Sequence, residues 1–123
     1  MRLKTIYIKP SSSFSSYVKT WAETAGVTIE EYDYRIQDDQ AADGLLLINE
    51  NHDIPRDLYD MHTHFDERHI PTQKIDVNGT LQVAVSSLEM WLRNFKCKNV
   101  LILGSEKLIK NDNLDRFFNK VKL

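Results

Sequence analysis

Three of the four histidines in this chain fall inside one nine-residue stretch, MHTHFDERH (61–69), beside Asp66, Glu67 and Arg68. Imidazoles and carboxylates at short spacing are the raw material of a metal site or of acid–base catalysis. On a helix turning about 100° per residue, His62 and His69 fall on the flank of a stripe made by Leu58 and Phe65, with Asp66 just beyond. His64 lands on the far side, among Asp57, Asp60 and Glu67. The pair His62-x-His64 therefore cannot close on one ion. The metal-compatible set is His62, Asp66 and His69, at i, i+4 and i+7, and it would need ligands from elsewhere in the chain. A helix flank with solvated charge pairs, each contributing about a few tenths of a kcal/mol, is the expectation, and no metal is expected.

The other residues able to do chemistry sit where apolar runs stop. In doubly wound sheets ligands bind outside the carboxyl ends of the strands. Four such ends can be read: PSSSFSS after the first strand, NENHD after the third, VNGT after the fourth and GSEK after the fifth. Three of them lead into helix starts, whose free N–H groups and dipole favour an anion. Ser11, Ser12 and Ser13, with Gly104 and Ser105, are the candidate contacts to a phosphate or carboxylate. Asn49, Glu50 and Asn51 are candidates to read a sugar hydroxyl or a base edge, and Asn78, Gly79 and Thr80 are further candidate ligand contacts at a helix start. Helices need Ser, Asn, Asp or Thr at their starts whether or not a ligand binds, so these signals are unspecific. No glycine-rich dinucleotide loop, phosphate-binding loop or nucleophile-elbow motif occurs. Glu50 and Asp53 are the only carboxylates suggested as an acid–base pair. Cys97, at the entrance of NVLILG, is expected at the opposite rim as an inert thiol.

These residues must be carried by a regular framework. KTIYIKP reads as a short strand closed by Pro10, and Phe14, Tyr17, Val18, Trp21, Ala22 and Ala25 form a helical stripe that Gly26 ends. VTIEEYDY is a charged strand expected near an edge. GLLLINEN, an apolar run that turns abruptly polar, and NVLILG read as parallel strands covered on both faces. A helix starts at Ile54-Pro55 and runs to about His69, IPTQKIDV is a weaker strand, and Leu81 to Phe95 hold helical period for more than four turns. Leu114, Phe117, Phe118 and Val121 face a last helix. The order β-α-β-β-α-β-α-β-α predicts one α/β domain over 1–123. It would be a three-layer Rossmann-like or flavodoxin-like sandwich of about five mainly parallel strands with helices on both faces. Strand order 2-1-3-4-5 is expected, and a ligand site requires GLLLIN and NVLILG to run parallel and end at a shared rim.

Hydrophobic residues at 41% and charged residues at 28% describe an ordinary globular domain, and a net charge of −2 gives no reason to expect nucleic acid. Lys96, Lys98, Lys107 and Lys110, the densest basic group, only surround one strand. No apolar run spans a membrane, MRLKTIYIKP is not a signal peptide, and a lone cysteine allows no internal disulfide. A cytoplasmic protein is expected.

From Asp43 onward the chain resembles the molybdenum-cofactor carrier proteins, a Rossmann-like family related in fold to lysine-decarboxylase-like proteins. The matching pieces are DGLLLI, HIPTQKIDV and LEMWLRNFKCKNVLILGSE, in order, over about two-thirds of the chain. The glycine-rich first loop of that family would fall on IKPSSSFSS, and its Gly-Gly-Thr helix start on HDIPRD. Neither segment has a glycine. The resemblance implies the fold and a homo-oligomeric habit, with family-type anion contacts carried by Ser11 to Ser13 and Gly104-Ser105.

The expected function is a small-molecule binding module for a phosphorylated or nucleotide-like ligand. The first alternative is an assembly protein with a vestigial crevice. The second is an enzyme acting on a nucleoside or nucleotide, similar to nucleoside deoxyribosyltransferases, with a carboxylate such as Glu50 as nucleophile.

Overall fold

A computed structural model of the chain describes residues 3–10, 12–32, 42–51, 53–78, 80–110 and 112–121. In chain order the elements are β1 (Thr5–Ile8), α1 (Ser13–Ala25), β2 (Thr28–Glu31), β3 (Gly44–Asn49), α2 (Arg56–Glu67), β4 (Thr72–Asp76), α3 (Leu81–Phe95), β5 (Asn99–Gly104), a 3-10 turn (Glu106–Lys110) and α4 (Asp112–Lys120). The ends obey local chemistry. Ser12 caps α1 by accepting from the Ser15 amide at 3.4 Å, and Gly26, at φ 78°, closes it in the left-handed region. The described residues contain no helix long and apolar enough to cross a membrane.

All five strands are parallel and form one sheet, as the alternation of apolar runs with helices predicts, but their order is β2-β1-β5-β3-β4 rather than 2-1-3-4-5. The physical reason is burial. Every residue of β3 is buried, and all but the first of β5, so these two take central places where both faces are covered. Placing β5 at an edge would have exposed Val100 to Leu103 along one side. β4 carries the exposed Lys74 and β2 the exposed Glu30 and Glu31, and they occupy the edges, where a charge stays in water. β3 and β5 are consequently direct neighbours, with Leu45 opposite Leu101 and Ile48 opposite Gly104, and their ends share a rim.

Side-chain alternation splits the core into two layers. Ile6, Leu46, Ile48, Val100 and Ile102 meet Phe14 and Val18 of α1, Leu88 and Leu92 of α3, and Phe117 and Phe118 of α4. On the other face Leu45, Leu47, Leu101 and Leu103 meet Leu58 and Phe65 of α2, with Tyr32 and Ala42. The amino-terminal rim is pinned by Asp43, whose carboxylate accepts from the amides of Lys98 (3.1 and 3.2 Å) and Asn99 (3.0 Å).

Candidate functional site

At the carboxyl ends of β1 and β3, which flank β5, the chain departs towards opposite layers: α1 lies on one face of the sheet and α2 on the other. Between their first turns opens a cleft of about 430 Å³. Its walls are the start of α1 (Ser12, Phe14, Ser15), the start of α2 (Pro55, Asp57, Leu58) and the segment Leu103 to Lys107, with Lys9 at the mouth. This is the position that a doubly wound sheet reserves for ligands.

The hydrogen bonding of the cleft is mostly internal. Ser12 Oγ takes the Ser15 amide, and the Ser12 carbonyl takes both the amide and the hydroxyl of Ser16. The Ser13 amide donates to Glu106 Oε1 at 3.0 Å, so a carboxylate already sits on the first turn of α1. Ser105 Oγ accepts from the Lys107 amide at 3.2 Å within its own turn. Lys9 Nζ reaches Asp57 Oδ2 at 3.0 Å across the mouth, and that hydrogen bond holds the Asp57 carboxyl below its ordinary range. Lys107 approaches Asp53 at 3.9 Å. One group is left out. Ser15 is 3% exposed, lines the cleft, and its hydroxyl is buried with no hydrogen-bond partner.

The residues expected to contact a ligand are thus brought together in two groups. Ser12, Gly104 and Ser105 line the cleft, with Ser13 contributing its amide, while Ser11 lies outside the described residues. A Cβ on Gly104 would stand 2.5 Å from the Phe14 ring, so this glycine serves close packing of α1 on β5. The second group lies at the ends of β3 and β4. Asp76 Oδ1 accepts from the amides of Asn51 (3.1 Å) and Asn78 (2.9 Å), and Asn78 Nδ2 donates to Asn51 Oδ1. Asn113 Nδ2 joins this network to Glu50 Oε2 at 3.4 Å and to Asn78 Oδ1 at 3.3 Å. Asn49 is buried beneath it, Thr80 begins α3 without a side-chain cap bond, and Gly79, like His52, lies outside the described residues. Asn51 adopts φ 56°, a left-handed turn that asparagine tolerates and that aims its amide at Asp76.

The histidine stretch does not assemble as a ligand set. The helix of α2 stops at Glu67, and His69, at φ 61°, turns off its surface, so the spacing i, i+4, i+7 is broken at its last member. His62 instead shares a 3.1 Å hydrogen bond with Thr72 Oγ1, and burial, with Lys74 nearby, depresses its pKa. Among the described residues no group of three or more His, Cys, Asp or Glu side chains could hold a metal ion. Cys97 is 1% exposed at the amino-terminal rim, its thiol pushed up to about 11 by burial and then by Asp43.

The sequence did not single out Lys9, Asp57 and Asn113 for this site, and it offered Ser15, Glu106 and Lys107 only as parts of PSSSFSS and GSEK, with no role of their own. Lys9 directly follows a strand and Asp57 opens a helix, which were readable signals. Glu106 and Ser15 acquire meaning only through their neighbours in space.

A scan against models of protein families finds no match, and a search of curated proteins finds none. A search of solved structures finds the chain similar to one described as "Putative molybdenum carrier protein" from Syntrophus aciditrophicus SB. The superposition covers 94% of each chain with a TM-score of 0.70, at 13% sequence identity. The two chains share one fold. The resemblance seen in DGLLLI, HIPTQKIDV and the segment through GSE is therefore matched by the architecture, and at that identity it is a likeness of fold alone.

Proposed function

We propose that this chain is a small-molecule binding module that takes an anionic ligand, phosphorylated or nucleotide-like, in the cleft between α1 and α2. The observation that carries this reading is the Ser15 hydroxyl. A buried hydroxyl without a partner costs about 1–3 kcal/mol, and because Ser15 lines the cleft, a ligand that parts the wall enough to bring an oxygen to this hydroxyl would recover that cost. Three further facts support it. The volume of about 430 Å³ suits a small molecule. The Ser13 N–H at the start of α1 already holds a carboxylate oxygen, that of Glu106, at 3.0 Å. Lys9 and Lys107 stand among its lining residues. The solved structure of the same fold is described as a molybdenum carrier, so molybdate and molybdopterin belong in any ligand panel.

Glu50 lies outside the cleft, in the carboxamide network, which favours binding over a reaction at a nucleoside. A scaffold with a disused crevice is the second reading, favoured by the Glu106 and Asp57 carboxylates that already sit at the two helix starts. Thermal denaturation with nucleotides, phosphate esters, molybdopterin and molybdate separates the two. A ligand at a hundredfold excess over its Kd adds about 2.7 kcal/mol, a rise of several degrees for a domain of this size. At least one member of the panel should give that rise with the native chain and a smaller one with Ser15→Ala. No rise with any of them leaves the scaffold.

A further inference from the structure

We infer that the Glu106 carboxylate is a built-in stand-in for the anionic group of the ligand, holding the Ser13 amide of α1 until the ligand displaces it. This rests on the binding reading above and adds how the site is kept closed. The amide position takes a carboxylate oxygen at 3.0 Å in the structure itself, so its preference for negative charge is on display. The carboxylate comes from 93 residues away, from the turn after β5, and takes an N–H that the Ser12 cap, spent on the Ser15 amide, leaves open.

Three features make the contact releasable. Glu106 is exposed, so its hydrogen bond competes with water. It opens a five-residue 3-10 turn, a geometry less firmly held than an α-helix. Its side chain also has the rotatable bonds to swing clear while the neighbouring Ser105 stays buried. Beside it in the cleft wall lies Ser15, whose hydroxyl Glu106 does not satisfy. An arriving phosphate would take over the Ser13 amide and offer further oxygens to Ser15, and two negative groups cannot share the position. Glu106 thereby sets an affinity threshold: weakly held anions are excluded, and a ligand with additional contacts enters.

Inorganic phosphate, titrated at low ionic strength into the native chain, Glu106→Gln and Glu106→Ala, tests this by calorimetry and by the Ser13 amide resonance. Glutamine can still accept the Ser13 N–H, so Glu106→Gln isolates the charge. Removing one negative charge next to a bound phosphate should tighten binding about tenfold or more in both variants, with the Ser13 resonance moving on addition. Equal affinity in all three proteins, with Ser13 responding, overturns the stand-in and leaves the binding reading intact. Tighter binding that leaves Ser13 unmoved also overturns it, because the phosphate would then sit elsewhere. Phosphate bound by none of the three overturns the stand-in and counts against the cleft as an anion site.

Discussion

A hydroxyl taken out of water and given nothing in return is a standing destabilisation, and Ser15 Oγ is such a group in the first turn of α1. Truncating the side chain to a methyl group removes the unmet hydroxyl and changes the volume little. Ser15→Ala should therefore stabilise the ligand-free protein by about 1 kcal/mol in urea unfolding, while weakening ligand binding. A loss of stability would mean that the hydroxyl is satisfied and that the cleft has no claim on it. This residue was not legible in the sequence, where it is one more serine in SSSFSS. Ser12, Ser13, Gly104 and Ser105 were legible because they directly follow apolar runs. Ser13 meets Glu106 across 93 residues and Lys9 meets Asp57 across 48, and no local pattern encodes such meetings.

Elements here are held together where a side chain would be in the way. Gly104 lets the buried Phe14 ring of α1 rest on the end of β5, and a Cβ there would come within 2.5 Å of two ring carbons. Gly104→Ala should cost about 1–3 kcal/mol and also weaken ligand binding, because relief requires the start of α1 to move. Gly44 does the same duty at the opposite rim, where a Cβ would meet Cys97 Sγ and Trp91 at 2.9 Å. Gly44→Ala should cost a similar amount in chemical denaturation yet leave affinity unchanged in the properly folded fraction. Loss of affinity in both variants would show that the two rims are not mechanically separate. The elements themselves were readable from period and caps. α2 ended two residues short of the expected His69, because a left-handed turn at that residue replaces the last helical positions, and this removed the histidine from the helical face.

At the scale of the molecule, the sheet is graded from a dry middle to wet margins. Amides of β3 and β5 should exchange with solvent only on global unfolding, and those of β2 much sooner, since its residues are mostly exposed. Hydrogen exchange measured residue by residue checks this, and uniform protection across the sheet would contradict it. The parallel α/β class could be read from the alternation of elements, but the strand order could not. Apolar content alone already separated GLLLIN and NVLILG from their neighbours. What it did not reveal was that the last strand in sequence lies in the middle.

That central position has a consequence for how the chain comes together. Before residues 99–104 arrive, β1 with β2 and β3 with β4 are two detached ribbons that share no edge. Asn99 to Gly104 slot between them like the keystone of an arch, with the Asp43 carboxylate gripping the amides at the near end. A nascent chain emerging from the ribosome thus carries two unfinished halves with bare inner margins until residues 99–104 are released. The same insertion that unites the halves also brings Glu106 to the start of α1, so the cleft and its internal anion come into being together.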